Sequence, residues 1–153
     1  MIKNIITKLK KKNLTISIAE SCTGGMLTSM FTSISGVSEV FSMGLITYSN
    51  ESKTKILSVP KNLILKYGSV SKNCCISMVK NLKKICRSNI CISITGIAGP
   101  KGGAKNKPVG LVFVGIVINK KILVKKFYFK KKNRVTIQHA TCLETLKLLK
   151  KYI

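Results

Sequence analysis

Leu14-Thr15-Ile16-Ser17-Ile18-Ala19-Glu20-Ser21-Cys22-Thr23-Gly24-Gly25 reads as a buried apolar strand, Leu14 to Ala19, that breaks into a polar turn. Thr23-Gly24-Gly25 then opens a helix running to about Thr32. A strand that passes through a short glycine-bearing turn directly into a helix is the opening half of an α/β unit. The pattern returns twice. Phe41 to Tyr48 is a second strand, closed by Tyr48-Ser49-Asn50-Glu51-Ser52-Lys53. Ile90 to Thr95 is a third, β-branched and apolar, followed by a loop from Gly96 to Pro108 that carries Gly96, Gly99, Pro100, Gly102 and Gly103.

The segments around these strands are helical. Ile2, Ile5, Ile6 and Leu9 recur at helical spacing, and Asn13 ends that helix. Ser35 to Ser38 is a loop. Asn50 is a suitable cap for a short helix over Glu51 to Leu57, and Pro60 starts another over Lys61 to Lys66. Ser71 caps a longer helix through about Ile85, with Ile76, Val79 and Leu82 on its apolar face, and the adjacent Cys74 and Cys75 are not expected to point inward together. Val109 to Ile118 and Ile122 to Phe129 form a hairpin turning at Asn119-Lys120, and from Asn133 the chain is helical to its end with Ile137, Leu143, Leu146 and Leu149 inward. Early alternation of helices with strands and a late hairpin predict an α/β fold. It is a single three-layer domain over residues 1–153, with a mixed β-sheet flanked by helices on both faces.

Composition restricts the chemistry. Of 153 residues, 28 are Lys or Arg and four are acidic, all glutamates (Glu20, Glu39, Glu51, Glu144); the one histidine is His139. Carboxylate-rich Mg²⁺ or Ca²⁺ sites and clustered His/Cys zinc sites are poorly supplied, so metal catalysis is not expected. A Ser-His-Asp triad is impossible, and only a version built from Ser21, His139 and a glutamate is formally open. The net charge of +24 invites a nucleic-acid reading. Its lysines are nevertheless spread over most of the chain rather than gathered in one stripe with interleaved aromatics. Compositional drift is therefore favoured and specific nucleic-acid binding discounted. Six cysteines without a C-x-x-C pair, no secretory leader pattern and no run of about 18 apolar residues lead to the expectation of reduced thiols, a cytoplasmic location and no membrane partner.

In open α/β sheets, sites form where loops leave the carboxyl ends of strands, and the three polar clusters of this chain sit at such ends. Ser21 precedes a helix start whose Gly24 and Gly25 leave backbone N–H groups open to an oxyanion or phosphate; capping of the helix by Ser21 or Thr23 is the competing reading. Lys53, in the first turn of its helix, has its pKa depressed by the helix dipole and the many other lysines, which suits it as a base for Ser21, with Tyr48 relaying or orienting the proton. A solvated surface lysine is the plain alternative. Thr95, Gly96, Gly99 and Gly102 belong to a segment able to wrap a phosphate or ribose, although its spacing matches neither the P-loop nor the dinucleotide motif. Arg134 opens the last helix as a fork donor for phosphate, or as a free surface arginine. His139 packs or faces solvent. Cys22, beside Ser21 at a helix start, competes as nucleophile through a lowered pKa.

The order of motifs adds to this: A-E-S-C-T-G-G, G-x-x-T-Y-S-N-E-x-K, G-x-V-S, S-I-T-G-I-A-G-P-x-G-G and K-P-V-G. From about Leu14 to Arg134 the chain resembles the CinA C-terminal domain family, also called the nicotinamide-nucleotide amidase family. The resemblance implies hydrolysis of the carboxamide of nicotinamide mononucleotide to nicotinic acid mononucleotide and ammonia, in pyridine-nucleotide recycling, without metal or organic cofactor. It implies Ser21 as nucleophile, Lys53 as base, Tyr48 assisting, Thr23, Gly24, Gly25, Thr95, Gly96, Gly99 and Gly102 along the substrate, Arg134 on its phosphate, and a homodimer with the late hairpin as a possible interface. Longer family members carry an N-terminal domain resembling molybdopterin-binding proteins, which is not expected here. Where members often have G-D-R before the last helix and a second Arg four residues on, this chain has Lys132-Asn133-Arg134 and Gln138. The alternative is an inactive or altered CinA-like basic domain that binds a nucleotide or nucleic acid.

Overall fold

The computed structural model describes residues 1–130 and 132–153. In chain order the elements are α1 (Ile2–Lys11), β1 (Ile16–Glu20), α2 (Met26–Thr32), a 3-10 turn (Val37–Glu39), β2 (Phe41–Ile46), α3 (Asn50–Leu57), α4 (Lys61–Tyr67), α5 (Lys72–Cys86), β3 (Ile90–Gly96), β4 (Leu111–Ile118), β5 (Lys121–Tyr128) and α6 (Arg134–Tyr152). One five-stranded sheet runs in the order β2-β1-β3-β4-β5. The first three strands are mutually parallel, while β4 and β5 add antiparallel. The mixed-sheet α/β class expected from the sequence is therefore observed.

Alternation along the strands sorts residues between two apolar layers. Ile16 and Ile18 of β1 and Ile90, Ile92 and Ile94 of β3 pack with Leu9 of α1, Leu27 and Phe31 of α2, and Ile137, Leu146 and Leu149 of α6. The alternate residues Ala19 and Cys91 pack with Leu57, Ile64, Met78, Val79 and Leu82 of α3, α4 and α5. Gly115 of β4 permits the close approach of α5: a Cβ there would lie 2.7 Å from Ser93 Oγ and 3.0 Å from Cys75 Sγ.

Several local expectations are corrected. Cys74 and Cys75 are both fully buried, because α5 is covered on two sides: Cys74 meets the α3–α4 layer, and the Cys75 thiol lies 3.3 Å from Ser93 Oγ on the sheet. Ile76 is only half-buried. On α6, Leu143 is 45% exposed, and Thr141, Cys142 and Thr145 take the inward positions instead. Thr141 and Thr145 can be buried because their hydroxyls donate to the carbonyls of Ile137 and Thr141, at 2.7 and 2.8 Å. The Asn119-Lys120 turn has both residues at positive φ, 48° and 69°, the backbone a two-residue hairpin loop requires.

Candidate active site

The site begins with the parity of β1. Ile16 and Ile18 face α2, so Glu20 faces it too, and Ser21 emerges on the α3 side. Glu20 is fully buried, and its carboxylate caps α2: Oε2 accepts from the N–H groups of Gly25 (3.2 Å) and Leu27 (3.1 Å), and Oε1 from that of Thr28 (2.7 Å). Three orphan donors and the positive end of the helix are thus answered by one anion. This overturns the capping role considered for Ser21 or Thr23. It also corrects the idea that Gly24 and Gly25 offer free donors, since the Gly24 N–H donates to the Ser21 carbonyl (3.0 Å). Gly25 is itself the N-cap, at φ +95°, a conformation glycine adopts without strain. Thr23, Gly24 and Gly25 line a depression shared with Gln138 and His139, apart from the cleft that holds Ser21.

Lys53 enters from α3. That helix is capped by Ser49, whose hydroxyl accepts from the Ser52 N–H at 3.0 Å; Asn50, expected as the cap, is the first helical residue. Lys53 is only 1% exposed. Its Nζ lies 2.9 Å from Ser21 Oγ, 2.8 Å from the Thr47 carbonyl and 3.1 Å from the Tyr48 carbonyl. A solvated surface lysine is therefore excluded. Burial lowers its pKa below the ordinary 10.5, a different cause from the dipole and like charges expected. Nζ is within donating distance of all three oxygens, and the Ser21 hydroxyl lies 3.5 Å from the Tyr48 carbonyl; a neutral amine donating to the two carbonyls alone would keep its lone pair for the serine hydroxyl.

Ser21, Tyr48, Lys53, Thr95, Gly96, Gly99, Gly102 and Arg134 border one cleft of about 210 Å³, which Lys101, Ser69 and Val70 also line. All three strand-end clusters meet there. Thr95 is buried, its hydroxyl donating to the Ser69 carbonyl at 2.8 Å. Arg134 is not a free surface arginine. Its Nη1 donates to the Gly99 carbonyl (2.7 Å) and its Nη2 to the Tyr48 hydroxyl (2.9 Å), tying α6 to the glycine segment and to the end of β2. The Tyr48 side chain is thus engaged with Arg134, and its carbonyl is the part that touches Lys53; the proton-relay role expected for the phenol is replaced by this backbone contact.

Cys22 is buried and its thiol is pushed up to about 12, chiefly by desolvation, against the lowered value expected at a helix start. It is a poor thiolate. His139 is exposed and borders the separate depression, so a Ser21–His139 pair is not built. Among the described residues no three His, Cys, Asp or Glu side chains gather as metal ligands, and no helix is long and apolar enough to cross a membrane. Two contacts have no local signal in the sequence: the capping of α2 by Glu20, which stands there only as a scarce carboxylate, and that of Gln138, noted for its place where family members often have a second Arg, whose Nε2 donates to the Cys22 carbonyl at 2.8 Å.

Fold and cleft define a mixed-sheet α/β domain holding a buried serine–lysine pair at the carboxyl ends of parallel strands. The family model for the CinA C-terminal domain matches residues 1–153, and the chain belongs to that family. It is 45% identical over 150 residues to a CinA-like protein of Prochlorococcus marinus, covering 95% of this chain and 35% of that protein. With a CinA-like protein of Kosmotoga olearia it shares 49% identity over 122 residues, covering 80% of this chain and 30% of that protein. The chain thus spans about a third of the length of these curated relatives. Among solved structures, the competence/damage inducible protein CihA of Agrobacterium tumefaciens superposes with a TM-score of 0.94 at 34% identity, covering 97% of this chain and 90% of that one. A CinA superfamily protein of Escherichia coli superposes at 0.93 with 26% identity, covering 100% and 91%.

Proposed function

We propose that this domain is a metal-independent serine–lysine amidohydrolase that cleaves the carboxamide of nicotinamide mononucleotide to nicotinic acid mononucleotide and ammonia. The observation that carries the reading is the 2.9 Å approach of a buried lysine amine to a serine hydroxyl on the wall of a cleft. Burial disfavours the ammonium, so the amine takes the Ser21 proton as Oγ adds to the amide carbon. The protonated Lys53 then returns that proton to the departing nitrogen, ammonia leaves, and a water activated by the same amine hydrolyses the acyl-serine. Lys101 and Arg134 give the cleft a positive field that suits a phosphorylated substrate and a developing oxyanion. Arg134, already fixed by Gly99 and Tyr48, meets a phosphate with its remaining N–H groups.

The test is ammonia release from nicotinamide mononucleotide, nicotinamide riboside and nicotinamide, without added metal. The reading expects turnover of the mononucleotide, much weaker turnover of the two unphosphorylated amides, and none in Ser21→Ala. Absence of turnover, together with steeply salt-dependent binding to DNA or RNA that Ser21→Ala retains, would instead fit a basic binding domain.

A further inference from the structure

At the end of the sheet opposite the cleft, where α5 hands over to β3, two thiols face each other. Cys86, half-buried in the last turn of α5, and Cys91, buried on β3, have their sulfurs 3.5 Å apart, in contact but not bonded. Cys86 Sγ also lies 3.0 Å from the Leu82 carbonyl. The connecting segment turns at Arg87, which adopts φ +55°, and its Ser88 carbonyl accepts from Lys83 Nζ while the Ser88 and Ser17 hydroxyls lie 2.8 Å apart.

We propose that Cys86 and Cys91 form a peroxide-responsive dithiol that closes to an intramolecular disulfide. The geometry supplies what such a pair needs: an approachable sulfur that reacts first, and a shielded one already at its side. A disulfide bond of about 2.05 Å requires the sulfurs to close by roughly 1.5 Å; Cys91 is fixed in the core, so the approach falls mainly to the half-buried Cys86 at the end of α5. The two thiols also differ in reactivity. Burial alone would raise Cys86, but hydrogen bonding by Ser17, Ser88 and Cys91 outweighs it and holds the thiol below its ordinary value of 9.0. Burial and then the neighbouring Cys86 push Cys91 up to about 12, so Cys86 is the sulfur that ionises. The Cys86 thiolate attacks hydrogen peroxide, breaking the O–O bond; with one proton taken up, sulfenic acid and one water result. The Cys91 sulfur then attacks the Cys86 sulfur, the S–O bond breaks, and the departing hydroxide takes up the Cys91 proton and leaves as a second water. In sum, two thiols and one hydrogen peroxide give one disulfide and two waters.

Two other buried cysteines provide internal controls: Cys75 and Cys142, both pushed up to about 12 by burial. The full chain is treated with equimolar hydrogen peroxide, remaining thiols are blocked with N-ethylmaleimide, and the tryptic peptides are mapped. Cleavage after Lys84, Arg87 and Lys101 separates Ile85–Arg87 from Ser88–Lys101, so the bond joins two peptides at a mass two hydrogens below their sum. The expected result is this linked pair as the main oxidation product, abolished by dithiothreitol, absent in Cys86→Ser and Cys91→Ser, and retained in Cys142→Ser. Cys86 recovered as sulfinic acid or in an intermolecular disulfide, with Cys91 still open to alkylation after unfolding, would overturn the proposal. So would recovery of all six thiols.

Discussion

Glu20 and Ser21 are neighbours in the chain but occupy opposite faces of the sheet: the carboxylate of one is spent on three N–H groups of α2, and the hydroxyl of the other stands 2.9 Å from the Lys53 amine. Period-two alternation at the end of β1 therefore separates a structural anion from the hydroxyl that faces the cleft. Were the strand one residue out of register, the carboxylate would sit beside Lys53 and hold it as a paired ammonium, unable to act as a base.

Glu20→Ala leaves those donors buried without a partner. The expected loss of stability is about 3 kcal/mol or more, with Glu20→Gln losing less because one amide oxygen still accepts. Urea denaturation midpoints of the three proteins check the order.

Lys53 is expected to set a pH dependence of stability and, on the proposed function, of rate. Its folded pKa lies below 10.5, so the native state binds fewer protons than the unfolded chain between those two values. The stabilising contribution is fully present above about pH 10.5 and is lost as pH falls through the folded value. The difference in melting temperature between wild type and Lys53→Met should thus grow in favour of wild type as pH rises from 7 to 10.5, the remaining lysines cancelling in the comparison. The acid limb of kcat/KM, which reports the free enzyme, is expected to lie below the ordinary lysine value, and a limb at that value would contradict the assignment.

Arg134→Ala removes the fork that joins Gly99 to Tyr48 and the proposed phosphate contact. A fall in kcat/KM of about 10- to 100-fold, mostly through KM, corresponds to one charged hydrogen-bonded contact. Tyr48→Phe, which keeps the carbonyl against Lys53, is expected to lose much less, and steady-state kinetics of the two variants separate the roles.

Cys22→Ala tests the neighbouring thiol. Its protonated, buried state predicts that most of the activity survives, because Gln138 holds the backbone carbonyl of residue 22 rather than the sulfur. Loss of activity comparable to Ser21→Ala would transfer the nucleophile to the thiol.

Much of the fold was legible because apolar periodicity and capping are local. Ser71 and Asn133 cap α5 and α6 through their own side chains, each accepting the N–H three residues on. The α2 cap was not legible, because it comes from the preceding strand, and nothing local marks a glutamate that ends a strand as the partner of the next helix. Cys74 and Cys75 were misjudged because two-sided burial of α5 depends on where α3 and α4 dock. For the site, strand-end placement grouped Ser21, Lys53 and Thr95, and the family resemblance added Arg134, which opens α6 and reaches the same cleft. The origin of the Lys53 shift was missed: the dipole is visible in a helix start, whereas desolvation exists only once α3 is packed.

Activation of Ser21 by Lys53 is most directly examined by single-turnover ammonia release from nicotinamide mononucleotide in wild type, Ser21→Ala and Lys53→Ala, each shown to be folded by circular dichroism. A decrease of about 10³-fold or more in both variants is the expected result. Near-wild-type release by either variant would contradict it.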